Sequence, residues 1–553
     1  MSTLQETKQM KEVIADAFVA EGVDHHFTVM GNGNMWWVDA LAKRNVRTVH
    51  ARHEHCALGM ASGYTRSTKK TGVCSVTNGP GLTQIVTELT IAVRSHLPLV
   101  IYSADIPLHA SHSTHQFDQQ TLTLSTGARF IQVRSAERVL DDVRDAFYYA
   151  QFEQRPVVIS IPEDYQKKPF PHLYDYTPSS AFLPAHQPAP PNADMLVRVA
   201  DALRQAKRPI LLAGQGAIHA GKAIEALAER TGSLLATTLQ AKGLFDGNPY
   251  DLGIAGAFGS RLLREQCAEA DLVVAFGAAL GYHTTEGGYL FADAKVVQVD
   301  TAPRGIWQGQ RVADLHLRAD ALLGVQALLV ALPGPSASGL RTPELARTIA
   351  GHVYDDKPYP VAANSVDPRE ILREIDRVVP KDWDIVCGPA HYFNFVLPTL
   401  HGRHPDRWHV VSEFGAIGSA LGAAIGVATA RGDGKVLLIE GDGSMLMHIQ
   451  ELETMKRANI PLLACIMNDG AYGAEAHKFN AAGLDPSETQ HGRSDFARIA
   501  GAFGHAGATV QGLGKLAKLF KEHAARGGSS VWDIHIADNI PSVMYRRLFY
   551  GEE

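Results

Sequence analysis

A chain of 553 residues is too long for one hydrophobic core and implies three or four domains. With 45% hydrophobic and 20% charged residues it reads as soluble and globular rather than disordered. A formal net charge of −6, no basic run and no apolar run of bilayer length argue against nucleic-acid and membrane partners.

The chain opens on MSTLQETKQMKEVIADAF, a polar start into an amphipathic helix over 8–21, without the apolar core of a signal peptide. A cytoplasmic location is expected. The five cysteines are scattered without metal spacing and read as free thiols in a reducing compartment. A strand over 26–30 ends at Gly31-Asn32-Gly33-Asn34, which makes Asn32 and Asn34 candidates for facing a ligand. The segment HARHEHCALGMASGY (50–64) places Glu54 just before a nearly apolar helix. A carboxyl there is expected to be poorly solvated, with a raised pKa suited to proton relay. A strand over 73–77 runs into Thr77-Asn78-Gly79-Pro80-Gly81, whose glycines permit close backbone approach. A strand over 97–103 is followed by the loop HASHSTHQFDQQ, with His112, His115 and Gln116. Neutral imidazole there can act as acid or base near pH 7. A further strand covers 156–161.

Residues 1–168 therefore form a first domain, and the proline-rich stretch 169–192 a linker. In a second domain, 193–332, strands at 209–213, 272–276 and 295–299 alternate with helices. Its Gly214-Gln215-Gly216, with Gly221 further on, lacks the full dinucleotide spacing and reads as a structural loop; FAD or ADP is not favoured. Residues 333–368 connect, with a helix over 343–353. The third domain, 369–540, contains Phe414-Gly415-Ala416-Ile417-Gly418 leading into a helix of small residues. The tail 541–553 mixes aromatic and basic side chains. Alternation throughout predicts an α/β chain with three doubly wound parallel-sheet domains.

The third domain also carries the most telling pair of motifs. The apolar run 435–440 ends at Gly441-Asp442-Gly443, and the run 461–467 at Asn468-Asp469-Gly470, with Asn468 placed 26 positions after Asp442. Between them a helix is expected over 447–458, burying Met447, Ile449, Leu452 and Met455. A carboxylate and a carboxamide at the C-terminal ends of neighbouring parallel strands suit a hard cation such as Mg²⁺. The helix after Gly443 turns N–H groups toward the same place, which favours a diphosphate.

This spacing resembles the thiamine diphosphate signature of the acetolactate synthase, 2-oxoacid decarboxylase and benzaldehyde lyase superfamily. The resemblance extends over nearly the whole chain and implies pyrimidine-binding, central and diphosphate-binding domains in that order. It implies that Asp442, Asn468 and the Gly470 carbonyl ligate Mg²⁺. Gly441, Gly443 and Ser444 would lie beside the diphosphate, with Ala471 and Tyr472 following the metal loop. Glu54 would bind the aminopyrimidine, Asn78 would line the pyrimidine site, Ile417 would wedge between the cofactor rings and the Gly415 carbonyl would accept from the pyrimidine nitrogen. His115, Gln116 and Glu475 are implied as catalytic, with Asn32, Asn34, His112 and His477 on the substrate side.

The reaction implied is C–C cleavage or formation on 2-oxoacids, 2-hydroxyketones or aldehydes, in a homodimer or homotetramer whose sites lie between subunits. The segment after Asn468 (DGAYGAEAHKF) lacks the tryptophan-containing stretch that acetolactate synthases use for their second substrate. Carboligase, lyase and 2-oxoacid decarboxylase outcomes therefore stay open, with a 2-hydroxyacyl-CoA lyase as a minority reading. A nucleotide-binding oxidoreductase built on the central domain is the rival from another class.

Overall fold

The computed structural model describes residues 8–170, 172, 174–184, 187–303, 313–334 and 339–552. Three six-stranded sheets, parallel throughout, carry the chain. The first contains His25–Thr28 (β1), Arg47–His50 (β2), Gly72–Val76 (β3), Leu99–Asp105 (β4), Arg129–Gln132 (β5) and Val157–Pro162 (β6), in the order β2-β1-β3-β4-β6-β5. The second contains Pro209–Ala213 (β7), Leu234–Thr237 (β8), Asp251–Ile254 (β9), Leu272–Phe276 (β10), Lys295–Asp300 (β11) and Leu315–Arg318 (β12), in the order β12-β11-β10-β7-β8-β9. The third contains Asp384–Cys387 (β13), Trp408–Val410 (β14), Val436–Gly441 (β15), Leu463–Asn468 (β16), Ala506–Val510 (β17) and Ser530–His535 (β18), in the order β14-β13-β15-β16-β18-β17. The first and third sheets thus share one topology. Central strands such as β3, β7 and β15 are buried along their whole length. Strands covered on both faces read in sequence as unbroken apolar runs.

Two helices join the first domain to the third. Glu54–Thr68 lies against Ser419–Arg431, and glycines let their backbones meet. A Cβ on Gly63 would stand 2.0 Å from the Ala423 carbonyl oxygen. The expected helix 447–458 is interrupted instead. Asp442–Met447 and Glu451–Arg457 are separate, and Met447 is exposed rather than buried. The break turns His448 inward, where its ring stacks on that of His55 at 4.7 Å. Leu452 and Met455 are buried as expected. All five cysteines are buried and unpaired. Among the described residues no helix is long and apolar enough to cross a membrane.

The central glycines are occupied by packing. A Cβ at Gly214 or Gly216 would meet the backbone of the loop after β10, at Gly277. Their small size serves loop-to-loop contact here.

Candidate active site

The C-terminal ends of β15 and β16 open on a cavity of about 400 Å³. The third domain lines it with Gly415, Ile417, Asp442, Gly443, Ser444, Asp469, Ala471, Tyr472 and Glu475. Phe258 of the central domain and Phe393, Met544 and Tyr545 add apolar surface. Met544 and Tyr545 belong to the C-terminal helix Val543–Phe549. The basic pair on this helix is already engaged. Arg546 donates to Asp355 at 2.7 Å, and Arg547 pairs with Glu286 at 3.0 Å.

The oxygen donors lie at the strand ends. Asn468 is fully buried; its Nδ2 donates to the Ser494 carbonyl and to Asp533, leaving Oδ1 buried without a hydrogen-bond partner. Asp442 is 2% exposed, and its Oδ2 accepts from the Gly470 N–H at 2.9 Å. Burial raises its pKa, opposed by His491, whose Nε2 is 3.9 Å away. Burial, and then the neighbouring Asp442, raise the Asp469 acid well above the ordinary carboxyl range. The Gly470 carbonyl departs from the expectation of an open metal ligand. It already accepts N–H bonds from His491 and Gly492, at 3.0 and 2.9 Å, because the 490–493 segment folds back over the loop.

Ser444 connects this loop to the candidate wedge. Its Oγ accepts from the Gly418 N–H at 2.7 Å and donates to Glu440 at 2.6 Å. Burial pushes Glu440 up to about 7. Ile417 is half-buried on the cavity wall, and Gly415 holds φ +75°. Sequence reasoning missed His391, whose only signal was its position after β13. Its Nε2 accepts the Ser542 N–H at 3.1 Å, which leaves the proton on Nδ1. Burial and the adjacent His477, with ring centroids 4.2 Å apart, keep it neutral. His477 itself is buried behind His391 and does not line the cavity, contrary to a substrate-facing role.

The first-domain candidates gather elsewhere; none lines the cavity. Glu54 begins its helix half-buried in the single chain, so the expected apolar surround is incomplete. The backbone just before it is fixed from the third domain. Buried Glu451 accepts the N–H groups of Arg52 and His53 at 2.9 and 3.0 Å. Asn78 is buried, and its Oδ1 lies 3.3 Å from His115 Nδ1. His112 and Gln116 are exposed on the loop. Asn32 is exposed and donates to Glu163 at 3.0 Å. Asn34 does not face a ligand. It is fully buried, accepts from the Gly31 N–H and donates to Thr28, Val29 and Ser75, so its polar atoms fix the turn.

Three family descriptions match the chain in order. They are the thiamine pyrophosphate enzyme N-terminal TPP binding domain over residues 8–125, the central domain over 196–328 and the C-terminal TPP binding domain over 394–534. The chain belongs to the thiamine diphosphate-dependent enzyme superfamily. Its relatives include the probable acetolactate synthase large subunit of Methanocaldococcus jannaschii, 29% identical over 509 residues, covering 89% of this chain and 86% of the relative. Acetolactate synthase 1, chloroplastic, of Nicotiana tabacum is 28% identical over 483 residues, covering 85% and 71%. The acetolactate synthase large subunit of Parasynechococcus marenigrum is 29% identical over 518 residues, covering 90% and 82%.

The third-domain residues fit the cofactor of a thiamine diphosphate enzyme. A buried amide oxygen without a partner and two neighbouring buried carboxyls are the environment that a hard dication relieves. Among the described residues no three His, Cys, Asp or Glu side chains cluster as a metal site; this donor set is a carboxylate plus a carboxamide.

Proposed function

We propose that this thiamine diphosphate enzyme is an acetolactate synthase-like carboligase or lyase. It would use Mg²⁺ and make or break C–C bonds of 2-oxoacids, 2-hydroxyketones or aldehydes. The observation that carries the reading is the single cavity uniting Asp442, Ser444 and Ile417 with an apolar wall from the central domain and the C-terminal helix.

Bound thiamine diphosphate supplies a nucleophilic carbon and an electron sink for the bond being broken. Asp442 and Asn468 Oδ1 would hold the metal, with the Gly470 carbonyl joining if it releases its two N–H bonds. Gly443, Ser444 and the Nδ1–H of His391, all on the cavity wall, would donate to the diphosphate, with Gly441, Ala471 and Tyr472 shaping the loops around it. Ile417 would set the bend between the rings, with the Gly415 carbonyl accepting from the pyrimidine. Glu54 would hold the pyrimidine in the tautomer that accepts a proton, beside Asn78 and His115. Glu475, on the cavity wall, and Gln116 are candidates to move a proton at the substrate. Phe258, Phe393 and Met544 favour an apolar substrate side chain.

Because the Glu54 group lies outside the cavity of its own chain, its partner surface is the cavity of a second copy, in a homodimer or homotetramer. No nucleotide in the central domain is part of this proposal. The test is a panel of 2-oxoacids and aldehydes with thiamine diphosphate and Mg²⁺, measuring CO₂ release and ligation products separately. Cofactor-dependent ligation or cleavage is expected; turnover that needs a nicotinamide or flavin and no thiamine diphosphate would overturn the reading.

A further inference from the structure

Glu88, on the helix Val86–Arg94, is fully buried, and among the described residues neither of its carboxyl oxygens has a hydrogen-bond partner. Buried polar groups without partners are rare and costly, so this one calls for an account. It sits where three helices meet. Its Oε2 is 3.7 Å from His55 Nε2, and that same nitrogen is 3.0 Å from Ser419 Oγ. His55 follows Glu54 directly, and Ser419 lies two residues after Ile417. One carboxyl therefore stands behind both groups, at the start of the helix that carries Glu54 and of the helix that follows the wedge.

Resting on the roles given above to Glu54 and Ile417, we propose that Glu88 is a positioning residue, whose buried carboxyl, packed behind His55, keeps the His55–Ser419 contact closed and so fixes both groups against the shared seam. The groups facing it come from each packed element. The Glu54–Thr68 helix presents His55, Cys56, Ser62 and Arg66. The third domain presents Glu413 and Ser419, and β3 presents Cys74. His448 stacks on His55 from the far side. Burial holds both imidazoles neutral, His55 at about 3 and His448 at about 4. No cation among the histidines therefore compensates Glu88. Burial pushes its pKa up to about 8, against the opposing pull of Ser62, Arg66 and Ser419. A carboxyl raised in this way contributes to the closed seam at low pH, and the contribution is lost as pH rises through about 8.

The experiment measures exchange of the cofactor C2 proton by quench-flow NMR from pH 6.5 to 9.5, on enzyme reconstituted with thiamine diphosphate and Mg²⁺. Glu88→Gln should match wild type at pH 7 and exceed it by about tenfold at pH 9, because only the wild type ionises at the seam. Identical pH profiles would overturn the proposal, as a purely structural role would move the melting temperature and leave the profile alone. Ser62→Ala, which leaves the His55–Ser419 contact intact, serves as a second variant should Glu88→Gln not fold. It removes a hydroxyl that favours the charged form, so its alkaline limb should move to higher pH; an unmoved limb would overturn the link. Wild-type enzyme that does not accelerate exchange over free cofactor at any pH would overturn the underlying assignment of Glu54 as well.

Discussion

The first and third domains share one strand order, yet their strand ends are equipped in opposite ways. In the third domain, polar atoms at the ends of β15 and β16 are buried and underused. Asn468 Oδ1 has no partner, and Asp442 and Asp469 crowd each other. In the first domain the corresponding loops largely satisfy themselves, with Asn34 spending its side chain on four local bonds and Asn78 meeting His115. A common scaffold thus carries one set of strand ends with a buried amide oxygen left without a partner and one whose asparagines are bonded within their own domain. The difference teaches that two domains of one topology can use their strand-end polar groups in unlike ways, and the proposed pairing of Glu54 with the cavity of a second copy rests on their separation more than on their residues.

The sharpest way to break this comparison is complementation. Glu54→Gln and Asp442→Ala chains, each inactive alone, should regain about a quarter of wild-type activity when unfolded and refolded together, since half the dimers are mixed and each mixed dimer has one intact site. Recovery of nothing would place both half-sites in one chain.

Next in size is the metal half. Asp442→Ala should weaken Mg²⁺-dependent thiamine diphosphate binding by at least about 100-fold in calorimetry, because it removes a proposed ligand, and loss of a residue that merely orients a metal ligand already costs about 10–100-fold. Unchanged affinity would remove Asp442 from the metal site. Glu54→Gln should leave that affinity within a few-fold while slowing C2 proton exchange by about 100-fold or more, the usual scale of a lost acid–base group.

Smaller effects probe the self-satisfied domain. Asn34→Ala strands several buried groups and should cost about 2–3 kcal/mol in denaturant unfolding. Asn32→Ala, at an exposed position, should stay within about 0.5 kcal/mol. Equal effects would mean that the two asparagines do not differ as their burial implies.

Much of the architecture was legible because parallel strands covered on both faces leave long apolar runs, as in Pro209–Ala213 and Leu272–Phe276. Short edge strands such as Arg47–His50 and Arg129–Gln132 are only partly buried and leave no such run. The helix expected over 447–458 failed for a related reason. Its apolar spacing is helical, but His448 is drawn into the domain seam by His55, a partner almost four hundred positions away. Glu88, Glu451 and His391 were illegible in the same sense. Each is an ordinary residue in sequence, and each acquires its meaning from a neighbour on another domain or a distant loop.

The sequence by itself determined the cofactor chemistry. The Gly441–Gly443 and Asn468–Gly470 motifs lie within one strand–helix–strand unit, where local spacing dictates placement at adjacent strand ends. Only the tertiary structure decided which polar atoms remain available. It left Asn468 Oδ1 open, occupied the Gly470 carbonyl, consumed Asn34 in its own turn and kept Glu54 outside the cavity. Spacing fixes where a side chain starts, but hydrogen-bond satisfaction and burial depend on contacts from remote segments, and those no local pattern records.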